Sequence, residues 1–310
     1  MKNSTHNFLV ILCFAILATL VTLFSISIFS DYGYTLFIIL PLITGIATTV
    51  FIKSKNEPKF KHGIILSLAS FFLSCLLMVL TGIEGVICLL MATPIAIPFI
   101  IIGVWIGKQI RKKKKQKITL FILYFIVIPS LMSFEKTIEI KPKTYNATTA
   151  IEINTSIEKV WKTVIEFPTM AEPDELIFKA GISYPINAKI KGIGKGAIRY
   201  CNFNTGSFVE PITQWEEPNL LKFDVIKQPI PMQELSPYKI HPKHLHGYFV
   251  SEKGQFKLIK ISNNKTLLIG TTWYHNKIKP ELYWSIWSEY IIHKIHNRVL
   301  SHIKTSCEKY

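Results

Sequence analysis

Acidic residues are scarce in this chain: 20 Asp and Glu stand against 36 Lys and Arg, a net charge of +16 over 310 residues. Cysteine is scarcer still. Of five, Cys13, Cys75 and Cys88 lie in long apolar runs, leaving Cys201 and Cys307 in the polar half. One possible pair is not a disulfide scaffold, and whether those two pair is left open. Internal repeats are absent. Gly192-Ile-Gly-Lys-Gly196 lacks both the strand-then-helix context and the Ser or Thr after Lys that a phosphate loop needs, so it reads as a hairpin turn. No nucleophile, base and orienting group stand in a recognisable set. The basic excess is scattered rather than striped: 13 basic against 4 acidic residues up to Thr137, and 23 against 16 beyond it. We therefore expect no nucleic-acid partner.

What is present is apolar length. Five runs, Phe8–Ser30, Tyr34–Ile52, Ile64–Thr81, Val86–Ile106 and Ile118–Phe134, fill the first 134 residues. A spanning helix needs roughly 17–25 apolar residues. The intervening segments alternate: Lys2; nothing basic at Asp31–Tyr32; Lys53, Lys55, Lys59 and Lys61; nothing basic at Glu84; then Lys108 and Arg111–Lys117. Short Lys- and Arg-rich loops stay cytoplasmic. The expectation is an integral plasma-membrane protein (the inner membrane of a bacterium) with a cytoplasmic amino end and about five transmembrane helices, its carboxyl-terminal domain outside the cytoplasm. Two alternatives are a cleaved signal peptide in the first run, and a re-entrant piece within Ile64–Ile106 that would reverse the domain's side.

Glu135–Thr149 reads as a polar linker, and residues 150–310 as a domain. Thr149–Asn154 alternates as a strand, and Thr155 or Ser156 opens a helix through Glu166, with Glu158 placed as in a capping box. Ile186–Lys191, Ala197–Phe203, Ser207–Trp215, Leu221–Ile226, Gln255–Ile261 and Thr266–Tyr274 read as strands separated by turn residues. One long helix runs from Glu281 to about Ser306. The fold class is thus a membrane α-helical half plus an α+β half, a curved antiparallel sheet wrapped on a long carboxyl-terminal helix.

The opening Ala150-Ile-Glu-Ile-Asn-Thr-Ser-Ile-Glu-Lys-Val-Trp161 resembles that of the helix-grip superfamily, which includes START-type lipid-transfer domains, polyketide cyclase-like proteins and the birch-pollen allergen group. Arg199-Tyr-Cys-Asn-Phe-Asn-Thr-Gly206, Gly270-Thr-Thr-Trp-Tyr274, Tyr283-Trp284 and Ile291-Ile-His-Lys-Ile-His296 through Leu300 look like its membrane-linked bacterial branch. The resemblance covers Ala150–Glu308. It implies a cavity between sheet and long helix, and one such fold hosts many functions.

For that cavity the candidate lining residues are Arg199, Tyr200, Glu210, Glu234, Trp284, Trp287, Ile291, Ile295 and His296. The Trp and Ile residues share one face of the long helix, and the charges are those embedded in apolar stretches. The irregular segment Gln228–Gly247 has the length of a functional loop that lies over the mouth. No cofactor and no metal are expected. His241, His244 and His246 form the alternative metal set, with His293 and His296 one helical turn apart as further donors. Glu289, His293 and His296 also form a stripe that a general base would use. The favoured function is binding of a hydrophobic or amphipathic small molecule (lipid, isoprenoid, quinone or polyketide) near the membrane, with lipid and membrane as partners. The alternatives are a cyclase- or hydrolase-like enzyme using cavity His and Glu residues, and a ligand-free membrane interaction module. Oligomeric state is left open.

Overall fold

The computed structural model describes residues 2–29, 32–54, 59–111, 123–138 and 141–309. They form two compact units. The first is Met1–Lys141 with Glu234–His244 and Ile278–Tyr283; the second is Pro142–Gln233, Leu245–Lys277 and Trp284–Tyr310.

The first unit is helical: α1 (Lys2–Phe24), α2 (Leu40–Phe51), α3 (Phe60–Leu80), α4 (Val86–Ile110) and α5 (Ile128–Thr137), with π-helical turns Ser25–Phe29, Thr35–Ile39 and Leu123–Val127. Its helices meet through small and hydroxyl residues, which let backbones approach closely. Any side chain on Gly45 or Gly103 would strike backbone of the facing helix in the α2–α4 contact. The Thr19 and Ser74 hydroxyls are 3.1 Å apart, those of Thr44 and Tyr124 2.7 Å.

Among the described residues, three helical stretches, Asn3–Ile28, Phe60–Leu80 and Val86–Ile110, are long and apolar enough to cross a membrane. That corrects the expectation of about five. The second run, with Pro41 inside it, makes a shorter apolar helix, Thr35–Phe51, and part of the fifth run lies outside the described residues. Polar contacts mark two ends of this unit. At one, the Lys53 amide donates to Asn7 Oδ1 (2.8 Å) and Arg111 Nη1 donates to the Thr49 carbonyl (3.2 Å). At the other, Tyr32 donates to Glu84 Oε1 (2.8 Å), and the Thr35 amide and hydroxyl both donate to Glu135 Oε1 (2.9 and 2.8 Å).

The second unit is a seven-stranded, wholly antiparallel sheet, ordered β1-β7-β6-β5-β4-β3-β2. The strands are β1 (Tyr145–Ile153), β2 (Pro185–Lys191), β3 (Ile198–Phe203), β4 (Gly206–Glu216), β5 (Leu220–Asp224), β6 (Phe249–Ser262) and β7 (Lys265–Asn276). Strands β2 to β7 pair in chain order, through hairpins except for the long connection between β5 and β6, and the first strand returns to pair with the last, Thr149 opposite Gly270. Bulges break the register at Ile212/Gln214 and Ser251/Lys253, where a curving sheet must bend.

Between β1 and β2 lie α6 (Ile157–Ile165) and the single turn α7 (Leu176–Lys179); α8 (Glu281–Glu308) closes the chain. This strand order with a long terminal helix is the helix-grip architecture. α6 buries Ile157, Val160, Trp161 and Val164, spaced to fall on one face. They join Ile153, Leu221, Leu268, Leu300 and Ile303 in one core. The capping box is not formed: Ser156 is the cap residue but makes no side-chain capping bond. Glu158 is the second helical residue, one short of the position that such a box requires. β1 also begins at Tyr145, inside the stretch read as linker, because Tyr145 to Thr149 continue the alternation of Ala150–Ile153.

Candidate functional site

Alternation along β3 decides which side chains face inward. Arg199, Cys201 and Phe203 are buried, while Ile198, Tyr200 and Asn202 are less so. Arg199 stands opposite Glu210 on β4, and the two side chains form a buried ion pair, Nη1 to Oε2. Around the guanidinium sit the rings of Phe167, Phe223 and Phe256, their centroids 5.7, 5.5 and 5.4 Å from Cζ. Cation–aromatic contacts of this kind replace part of the hydration that a buried cation loses. Burial works most strongly against the Arg199 charge, but Glu210 and then Cys201 together outweigh it and the pKa is raised; burial also pushes the Glu210 carboxyl up, against the pull of Arg199. One donor is left over. Arg199 Nε is buried without a hydrogen-bond partner among the described residues.

This pair lies in the wall of a cavity of about 120 Å³. β3 and β4 contribute Phe203 and Phe208 beside the pair, and α8 contributes Ile291, Ile295 and His296. The segment Gln228–Pro231 forms another part of the lining. It is pinned through Gln228, whose Nε2 donates to the Phe249 carbonyl (2.7 Å) and whose Oε1 accepts from the Ser251 amide (2.9 Å). The lining is thus mostly apolar, with the Arg199–Glu210 pair, Lys253 and several polar groups.

Two reactive residue types in the wall are quiet. Burial pushes the Cys201 thiol up to about 12, so it is not a thiolate at neutral pH. Cys307 is also buried and free; its Sγ lies 3.3 Å from the Thr163 hydroxyl. Burial, and then His293 beside it, holds His296 down at about 4, hence neutral. Both of its ring nitrogens are engaged, Nε2 with the Thr272 hydroxyl (2.8 Å) and Nδ1 with that of Thr149 (3.1 Å). Thr149 is also 2.8 Å from His293 Nδ1. The Glu289–His293–His296 stripe therefore meets hydroxyls on β1 and β7.

Of the residues named from sequence, Arg199, Glu210, Ile291, Ile295 and His296 come together in the cavity wall. Tyr200 points to the other face, with Lys191 Nζ 5.6 Å from its ring centroid. Trp284 is buried and Trp287 partly buried, and neither is among the cavity-lining residues. Glu234 belongs to the first unit, as does the stretch to His244, so only the start of the irregular segment Gln228–Gly247 meets the cavity. His241 and His246 are exposed and His244 buried, so these three do not form a set. Sequence reasoning missed Phe203 and Phe208, and named Gln228–Pro231 only as the start of a longer loop over the mouth. The inward alternation of β3 signals the first; the second depends on tertiary folding.

No protein-family model matches the chain, and no curated protein matches it. Among solved structures it is similar to a truncated norcoclaurine synthase from Thalictrum flavum: 14% identity, 56% of this chain and 98% of that one, TM-score 0.35. An uncharacterized protein from Bacillus thuringiensis shows 14% identity over 53% of this chain and 98% of its own, TM-score 0.35. A conserved protein from Enterococcus faecalis shows 15% over 55% and 75%, TM-score 0.30. Likenesses this weak say nothing of activity, and the architecture above rests on the strand order of the chain itself.

Proposed function

We propose that the second unit binds a small apolar or amphipathic molecule whose polar end carries a hydrogen-bond acceptor, and that it does so at a membrane. The observation that carries this is the unpartnered Arg199 Nε–H in a mostly apolar wall. Buried donors are rarely left unmade, because each costs about 1–3 kcal/mol. A ligand carbonyl, carboxylate or phenolate would satisfy it. An engineered cavity of roughly 150 Å³ admits benzene. The room here, about 120 Å³, suits a single ring or a short chain unless Gln228–Pro231 moves. Lipid, isoprenoid, quinone and polyketide all offer such a portion. With both His296 nitrogens engaged and Cys201 protonated, binding accounts for the site better than acid–base or covalent catalysis.

The test is a titration of the detergent-purified chain with an environment-sensitive fatty-acid probe. Saturable binding is expected, weakened at least tenfold by Ile295→Trp, which fills the cavity. Unchanged binding in a folded Ile295→Trp chain would remove the cavity from the account.

We also infer that residues 138–310 lie outside the cytoplasm. Two features support it: the alternation of basic loops, and the alternation of chain ends within the first unit, where residues 7, 53 and 111 share one end and residues 32, 84 and 135 the other. Alkaline phosphatase fused after Lys143 should be active and a fluorescent protein fused there dark; the reverse pair would put the domain inside.

A further inference from the structure

Independently of the cavity, a second cluster lies wholly within the first unit. Glu84 follows α3, Cys88 sits in the first turn of α4, and the segment Glu234–His244 brings an imidazole and a carboxylate to them. Glu84 and His244 are each 5% exposed, and the Glu234 side chain is fully buried. Cys88 Sγ is 2.8 Å from His244 Nε2, Glu84 Oε2 is 3.3 Å from Nδ1, and Glu234 Oε1 is 3.9 Å from Nε2. One donor atom each from Glu84, Cys88 and His244 fall within 4.8 Å of one another.

The environment of these groups is held by the protein. Tyr32 donates to Glu84 Oε1 (2.8 Å), and the Ile87 amide donates to Glu234 Oε2 (3.1 Å). Gly85 leaves the room: a Cβ there would collide with the Glu234 carboxylate. Each carboxylate thus has one oxygen anchored. The other oxygens, Glu84 Oε2 and Glu234 Oε1, are buried without a hydrogen-bond partner among the described residues, as is His244 Nδ1. Among those residues the ion pairs of both carboxylates run to His244 alone. Two buried carboxylates sharing one imidazole are expensive to hold in an apolar unit. A divalent cation offsets that cost directly.

We propose that Glu84, Cys88 and His244 bind a zinc ion, with Glu234 completing a four-coordinate site. A thiolate, an imidazole and carboxylates together form a donor set suited to zinc rather than to calcium or magnesium. Zinc distances of about 2.3 Å to sulfur and 2.0–2.1 Å to nitrogen set tetrahedral donors roughly 3.5 Å apart. Loading the site therefore needs Sγ and Nε2 to separate by less than about 1 Å from their 2.8 Å contact. The ion would tie two separated stretches of chain, Glu84–Cys88 and Glu234–His244, together at one end of the bundle, a structural role.

The experiment strips the detergent-purified full chain of metal and titrates it with zinc alone, then with cobalt as a spectroscopic substitute. One ion per chain is expected, with a thiolate-to-cobalt charge-transfer band and a higher melting temperature on loading. Cys88→Ser should abolish that band, and His244→Gln should weaken zinc binding at least tenfold. A His241→Ala/His246→Ala chain, altered only in the exposed loop histidines, should bind as wild type. If zinc binds substoichiometrically to the folded wild-type chain, or binding survives in His244→Gln but falls in the loop variant, the site does not exist. Should Cys88→Ser fail to fold, absence of the charge-transfer band in cobalt-loaded wild type would still overturn the proposal.

Discussion

The two units bury charge in opposite ways. In the sheet unit, Arg199 and Glu210 neutralise each other inside three phenylalanine rings and leave over one N–H. In the helical unit, Glu84 and Glu234 gather around one imidazole and one thiol and leave over carboxylate oxygens. A surplus donor in an apolar cavity asks for a ligand with an acceptor. Surplus acceptors beside a thiol ask for a cation. The contrast teaches that what a buried charge cluster lacks says more about its partner than what it contains.

The largest effect should come from breaking the complete pair. Arg199→Ala orphans a buried carboxylate, and we expect a loss of about 3–5 kcal/mol in urea titration of the sheet unit. The double change Arg199→Met/Glu210→Leu should recover most of it, since apolar residues of similar volume can replace a buried pair. Glu234→Gln orphans no cation, so in the metal-free chain it should raise the melting temperature instead. A fall of similar size in both units would erase the contrast.

A smaller effect is expected from His296, which is neutral and held between Thr149 and Thr272. Its folded-state pKa of about 4 lies below the ordinary unfolded value of about 6.5. Across that window the unfolded chain takes up a proton that the folded unit refuses. Stability is therefore full above pH ~6.5 and falls as pH drops towards 4, by at most about 3 kcal/mol, then levels. His296→Gln should flatten the slope between those pH values. An unchanged slope would mean that another group carries it.

Local pattern made much of the sheet unit readable. Trp161 and Val160 are core because α6 offers one apolar face, and the β2–β5 and β7 strands follow alternations bounded by Asn204–Gly206, Glu217–Asn219 and Asn263-Asn264. The start of β6 was not readable. Ser251-Glu-Lys-Gly254 looks like a turn, yet it pairs with β7 through a bulge. Nor could sequence alone say which way Arg199 faces, since a one-residue slip reverses every side chain; the pairing Arg199 with Glu210 fixes it. The helix face of Trp284, Trp287, Ile291 and Ile295 read as one wall, but only its later turns line the cavity, because Trp284 is used in packing. Least readable was the Glu84–Cys88–His244 cluster. The i, i+4 spacing of Glu84 and Cys88 is unremarkable by itself, and nothing local announces that His244 returns to them.

The central claim, that Arg199 awaits an acceptor on an apolar ligand, is tested most directly by a matched pair of probes. Two molecules with the same short apolar body, one ending in a carboxylate and one in a methyl group, would be titrated into the detergent-purified chain. A hydrogen bond to a charged group contributes about 1.5–3 kcal/mol, so the carboxylate probe should bind roughly tenfold tighter or more. That advantage should vanish in the Arg199→Met/Glu210→Leu chain, while the methyl-ended probe binds both chains alike. Equal affinity of the two probes for the wild-type chain would contradict the account.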